Sequence, residues 1–267
     1  MKLNIVPAGS GWLWVKQGMR TFARQPLAMS GLFLLFMGLV SLLSVVPVLG
    51  SVVALALLPA ATLGLMAAAR QAEEGRFPMP TVLATAFTAG AAQRMSMLKL
   101  GGLYAVGFLG MIAVTALVDG GSFAEVYLNG AALTEELVQE SGFQSAMWVG
   151  MGLYLPLAMA FWHAPALVHW HGVDPVKSLF FSLLACWKNK AALLVFGIAW
   201  LGVFMTGGLV ISVLATLLGG PAVAGMLVLP AVMIMASMFF TSVYYTFRDS
   251  FTDDAPVDRN VEQGGLP

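Results

Sequence analysis

From Gln25 to Ala69 the chain carries no Asp, Glu, Lys, Arg or His. As one helix that stretch would be about 68 Å long, at roughly 1.5 Å per residue. A bilayer's hydrocarbon core is about 30 Å thick and takes about 20 apolar residues to cross. The stretch therefore reads as two spans, about 27–46 and 52–69, folded at Pro47-Val48-Leu49-Gly50. Four more apolar runs follow, about 100–118, 147–170, 191–214 and 223–247. The predicted fold class is an all-α polytopic membrane protein. It has six transmembrane helices in a single domain, residues 1–247, with cytoplasmic interfacial helices. A polar tail, 248–267, is expected to be disordered.

Between the apolar runs the pattern becomes amphipathic. In Gly11–Gln25, Trp12, Val15, Met19 and Phe22 share one face at 100° per residue, and Lys16, Arg20 and Arg24 form a stripe beside it. That is the pattern of a helix lying in the membrane interface, apolar side toward acyl chains and basic side toward anionic head groups. Pro78 and Pro80 open a weak second helix, with Val82, Leu83, Ala86 and Phe87 on one side. Asp174 with Pro175 starts a third, a capping oxygen followed by proline at the first helical position. There Val176, Leu179, Phe180, Leu183 and Trp187 lie opposite Ser178, Ser182, Lys188 and Asn189. The expected lipid-surface contacts are Trp12, Lys16, Arg20, Phe22, Arg24, Phe180, Trp187 and Lys188. An interfacial helix followed by two spans thus occurs three times, from Gly11, Pro78 and Asp174. Hydropathy alone generates such matches, so a true repeat and a plain six-span chain both stay open here. Within the second span, Ala60, Gly64 and Ala68 recur at intervals of four, a face that lets another helix approach closely.

Composition excludes a water-soluble chain: 59% of residues are hydrophobic and 10% charged, against about 25% charged in soluble domains. Net charge is zero, but its distribution is not even. With six spans, all 13 Lys and Arg fall on one side. The other side holds the acidic segment Asp119–Ser145 and two short turns. By the positive-inside rule the basic side, with both termini, is cytoplasmic. The first apolar run begins only at Leu27 and leads directly into a second, with no small-x-small cleavage site, so it is expected to be kept as a span. A lone cysteine, Cys186, rules out an internal disulfide and a cysteine-only metal site.

The opening Gly9-Ser10-Gly11-Trp12-Leu13-Trp14, with Phe22-Ala23-Arg24-Gln25-Pro26-Leu27, resembles the start of an uncharacterised family of bacterial six-span inner-membrane proteins. That family is known by a locus name rather than by an activity. The segment Ala164-Pro165-Ala166-Leu167-Val168, then Gly172-Val173-Asp174-Pro175, Ser182 and Ala185-Cys186-Trp187-Lys188-Asn189, is similar to the family's later cytoplasmic helix. This chain departs from it in having Lys190 where the family usually carries an aromatic residue. The resemblance implies fold and location in the inner membrane, and no activity or catalytic residues.

The polar candidates for a site are His163, His169 and His171. Ligands on one helix need spacing of three or four to share a face, and here the intervals are six and two. The favoured reading is an interfacial belt with Trp162 and Trp170, and His163, two turns deeper, is the exception. No span carries Asp, Glu, Lys or Arg, which argues against a proton- or sodium-driven transporter. Sites at helices broken by Pro59, Pro156, Pro165 or Pro230 remain open. Nucleophile-elbow, zinc-protease and phosphate-loop motifs do not occur. The chain therefore reads as a non-enzyme with no cofactor, no metal and no nucleic-acid partner. Its expected partners are membrane lipids of the anionic cytoplasmic leaflet, and no protein partner can be named. Two functional classes survive. One is a membrane protein that organises or senses the cytoplasmic leaflet. The other is a channel or carrier for a small neutral or lipidic molecule. A packed small-residue core favours the first, and a continuous polar cavity the second. With Cys186→Ala as background and single cysteines at Ser122 or Thr252, an impermeant thiol reagent on spheroplasts should label position 122 only. Labelling of position 252 instead would reverse the orientation.

Overall fold

A computed structural model describes residues 1–46 and 49–252. In chain order the elements are β1 (Lys2–Leu3), α1 (Ser10–Arg24), α2 (Pro26–Ser44), α3 (Leu49–Glu73), a 3-10 turn (Pro80–Ala84), α4 (Thr85–Thr88) and α5 (Ala91–Asp119). Then come α6 (Ser122–Asn129), α7 (Glu135–Gln139), α8 (Ser141–Trp162), α9 (Ala164–His171), α10 (Pro175–Lys188), α11 (Lys190–Leu218), α12 (Pro221–Ser250) and β2 (Phe251–Thr252). Six helices are long and apolar enough to cross a membrane: α2, α3, α5, α8 continued by α9, α11 and α12. They match the six expected spans. Of the expected first turn, Pro47 and Val48 lie outside the described residues, and Leu49 and Gly50 already belong to α3.

Local sequence explains the boundaries. Gln25 leaves the helical region before Pro26, which begins α2. Asp174 caps α10 by accepting from the backbone N–H groups of Val176 and Lys177. Gly219 and Gly220, both at positive φ, turn α11 into α12, a conformation that side chains with a Cβ disfavour. On the acidic side α7 starts at the Thr134 cap. Within the acidic segment Ser122–Asn129 forms α6. Asp119 draws it tight by accepting from the N–H groups of Gly121 and Phe123. Phe123 then packs with Phe143, Met111 and Ile112 in a small core of its own.

The main core lies toward the basic side, where α1, α2, α3, α5, α9, α11 and α12 converge. Each amphipathic segment packs on the spans that precede it. The 3-10 turn and α4 pack on α3, and α10 packs on α8 and α9. Helix α1 closes the circle on the last two spans, α11 and α12. The unit of amphipathic segment plus two spans therefore recurs in packing as well as in chain order. The circle has one open seam. Helices α3 and α5 pack together, as do α12 and α2, but α8 and α11 are not packed along their lengths. They meet through the rings of Trp162 and Phe196 near the basic end.

Helix α1 departs from the reading of a helix flat on the lipid. It buries Gly11, Trp14, Val15, Gly18, Thr21 and Phe22. A Cβ on Gly11 would lie 2.1 Å from the Ala192 carbonyl oxygen, and one on Gly18 would lie 2.3 Å from Ser242 Cβ. Two glycines seven apart thus let α1 seat its backbone against both α11 and α12. The Ala60, Gly64 and Ala68 face of α3 is likewise buried. What approaches Gly64 is the backbone of Val82 and Leu83 in the 3-10 turn rather than another span.

The expected tail from Arg248 also needs correction. Helix α12 runs on to Ser250, and Phe251–Thr252 pairs antiparallel with Lys2–Leu3. Residues 253–267 lie outside the described residues. Asn189, at the α10–α11 junction, holds this closure. Its Oδ1 accepts from Val6 N at 2.9 Å, and its Nδ2 donates to the Asn4 carbonyl at 3.0 Å and to Ser250 Oγ at 3.2 Å. Asn189 is buried, so truncating it strands these groups, at about 1–3 kcal/mol for a buried polar group left unpaired. Asn189→Ala should therefore speed amide exchange at Leu3–Val6 at least tenfold, read by mass spectrometry in detergent. Unchanged exchange there would mean that the β1–β2 pairing holds the terminus without Asn189.

Candidate functional site

The basic side offers two amphipathic surfaces of opposite construction. Helix α10 turns its small side chains inward, burying Ser178, Ser182, Ala185 and Cys186. Its large apolar side chains point out: Val176, Leu183, Phe180 at 62% exposure and Trp187 at 61%. Lys177, Lys188 and Lys190 are exposed beside them, and the Lys190 ammonium lies 4.8 Å from the Trp187 ring centroid. In water this arrangement would be inside out. Next to a membrane it is the ordering that the medium selects.

Helix α1 does the reverse. Its apolar bulk faces the protein, and its outer face carries Trp12 at 55% exposure and Leu13 at 52%. Lys16, Arg20 and Arg24 are exposed on the same face. Of the eight expected lipid-surface residues, Phe22 is the one that moves. It is buried in the core, because the α1 face that holds it is the face seated on α11 and α12. Trp12, Lys16, Arg20, Arg24, Phe180, Trp187 and Lys188 are all exposed.

A polar network ties the same end together. Trp14 Nε1 donates to Asp249 Oδ2 at 2.8 Å. Arg248 donates to Asp249 Oδ1 at 2.8 Å and to Glu73 Oε1 at 2.6 Å. Its remaining amino group reaches Gln17 Oε1 at 3.3 Å. Thr21 and Tyr245 share a hydroxyl–hydroxyl hydrogen bond, and Trp200 Nε1 donates to Ser242 Oγ at 3.1 Å. Helices α1, α3, α11 and α12 are thereby joined. Outside the spans, the Arg76 guanidinium beside Glu74 holds that carboxyl below its usual range.

The histidines do not form a cluster. His163 sits in the break between α8 and α9, fully buried, its ring centroid 5.5 Å from that of Phe251 and 5.9 Å from that of Phe247. His171 packs on Phe247 as well, their ring centroids 5.8 Å apart. The common neighbour of these two imidazoles is an apolar ring. His169 is half-buried, and its Nδ1, like that of His163, is buried without a hydrogen-bond partner. Among the described residues no three His, Cys, Asp or Glu side chains are placed to hold a metal ion.

The break itself is built by Ser182 of α10. Its Oγ accepts from His163 N at 2.9 Å and donates to the Met159 carbonyl at 2.7 Å. The hydroxyl thus inserts into the helix ladder just ahead of Pro165, a recognised cause of kinks. Cys186 Sγ lies 3.6 Å from the same carbonyl. Burial pushes the Cys186 thiol up to about 12, which favours its protonated form.

Three groups escaped the sequence reading. Asn189 was placed among polar residues of α10 without a partner, Trp14 was left out of either face, and Arg248 and Asp249 were assigned to the tail. Their partners lie more than 170 positions away, and no local pattern points to them.

Comparison with known proteins finds a relative over nearly the whole chain. A probable inner membrane protein of Burkholderia thailandensis, carrying a locus-style name, is 37% identical over 259 residues, covering 96% of each chain. No protein-family model matches, and no solved structure does.

Removing the His163 imidazole removes an unpartnered buried nitrogen. His163→Leu should leave stability unchanged or raise it by up to about 1 kcal/mol, while Ser182→Ala, which strands two backbone groups, should lower it by about 1–3 kcal/mol. Reversible unfolding in mixed micelles reads both. His169→Gln with His171→Gln should leave metal content at background. Stoichiometric metal held by the wild type and lost from that variant would reveal a binding site.

Proposed function

The chain belongs to a family of multi-pass inner-membrane proteins with no assigned activity, and from that premise we propose that it works without catalysis. In this reading it organises or senses anionic lipid in the leaflet on its basic side, the cytoplasmic one.

One observation carries the reading: the outward apolar face of α10, with Phe180 and Trp187 exposed and lysines around them. A helix that spends its small polar face on the protein and presents its aromatic face outward is suited to the boundary between head groups and acyl chains. Trp12 and Leu13 of α1 add a second apolar edge, and Lys16, Arg20 and Arg24 a second basic row. Each basic side chain near an anionic surface contributes about 1 kcal/mol before salt screening. Three at each of the two surfaces, Lys190 being contributed by the start of α11, are enough to enrich anionic lipid locally. The alternative is a channel or carrier for a small neutral or lipidic molecule. The cavity in the bundle interior speaks against a small neutral solute, because its lining is mainly Phe, Leu and other apolar side chains, with Thr62, Tyr104, Tyr154 and Trp162 as its polar members.

The full chain reconstituted in nanodiscs of mixed neutral and anionic phospholipid tests this. Spin-labelled lipids at the boundary should show anionic head groups preferred several-fold over zwitterionic ones. Lys177→Glu, Lys188→Glu and Lys190→Glu together should remove most of that preference, and salt should reduce it. Equal association of both lipid types with the wild type would refute the reading.

A further inference from the structure

Between α2, α3, α5, α8 and α12 lies a cavity of about 420 Å³. Phe36, Leu58, Pro59, Ala158, Phe161 and Phe240 are among the apolar residues of its wall. All belong to the membrane-spanning helices. The polar atoms at its edge are largely engaged. Thr62 Oγ1 donates to the Leu58 carbonyl at 2.9 Å, and Trp162 Nε1 donates to Thr246 Oγ1 at 2.9 Å. The Tyr104 ring packs on those of Phe108 and Phe161.

A space of this kind does not hold water, because a buried water needs two to four polar partners. Left empty, its walls forfeit their dispersion contacts. At this depth in a bilayer the abundant filler is hydrocarbon. A route for it exists at the open seam. From the Trp162–Phe196 contact toward the acidic side, α8 presents Met151, Tyr154 and Leu155, all exposed. Facing the same bilayer depth, α11 presents exposed Leu201, Met205 and Leu209. Tyr154 belongs both to this exposed surface and to the cavity wall.

We propose that the cavity is a binding site for one acyl chain of a bilayer phospholipid, entering between α8 and the α11–α12 hairpin. The head group stays in the bilayer, so selectivity is for hydrocarbon and not for charge. This separates the site from the basic surface of α10.

The test is native mass spectrometry of the full chain, purified in a detergent that strips boundary lipid. The wild type should retain about one phospholipid per chain. Ala158→Phe and Thr62→Phe, which fill the cavity, should each cut that retention at least fivefold. Ala158→Leu, a smaller intrusion, should cut it less. Leu27→Phe, exposed at the start of α2 and outside both cavity and seam, should leave it unchanged, as should the Lys177, Lys188 and Lys190 to glutamate variant. Size-exclusion elution and helical circular dichroism identify any variant that has lost its fold, and Ala158→Leu then carries the comparison. Wild-type protein free of lipid, or retention equal in the filled variants, would overturn the proposal. So would detergent or an isoprenoid found in the lipid's place.

Discussion

Hydrocarbon gives no hydrophobic drive for one apolar helix to join another. A six-helix bundle in a bilayer must therefore be held by backbones that approach closely and by polar groups that find each other. In this protein Gly101 brings α5 against the Ala56 carbonyl of α3 deeper in the bundle. Much of the rest sits at the basic end, where Gly11 and Gly18 bring α1 onto α11 and α12. The Glu73–Arg248–Asp249–Trp14 chain and the Asn189 clamp lie at the same end. The Arg248–Glu73 pair is about one-third exposed, at the depth where charges keep partial contact with water and cost least to pair.

Concentrating the fastening at one end leaves the other end free. Beyond Trp200 the α11 helix buries Ala215 alone, and among its described side chains α12 buries none before Ser237. The distal half of this hairpin is exposed to whatever surrounds it. On the opposite flank α5, α6 and α8 keep a separate small core around Phe123 and Phe143. The molecule is thus closed on its basic side and divided on its acidic side, with the apolar cavity where the two halves part. The two leaflets meet different surfaces: a charged and aromatic rim on one side, a cleft between hairpins on the other.

The spans were legible in the sequence because their signal is intrinsic: length and hydropathy do not depend on what the helix touches. The amphipathic helices were only half legible. Protein core and lipid interface select the same apolar stripe, so Val15 and Phe22 read equally well as lipid-facing or buried. What distinguishes α1 is its other residues. Gly11, Gly18 and Thr21 lie on the buried face with Trp14, and small residues beside a large one mark a helix seated on other backbones. In α10 the small polar residues are segregated from the aromatics, and the aromatics stay outside. Arg248 and Asp249 were read as tail because polar residues after an apolar run signal the end of a span whether or not they are bound. The cavity left no trace in sequence, since its lining comes from five helices.

The position of α1 has a consequence in time. It leaves the ribosome first, while α11 and α12, on which it sits, are the last helices made. At about 5–20 residues per second, roughly ten to fifty seconds separate the synthesis of Arg24 from that of Ser250. Throughout that interval the α11 and α12 seat of Trp14, Val15 and Phe22 is missing. The head-group boundary is the available resting place for such a helix, and the Lys16, Arg20 and Arg24 row suits it to wait there. On the proposed lipid-surface reading, the amphipathic pattern of α1 then serves assembly, and the finished bundle keeps its outer edge.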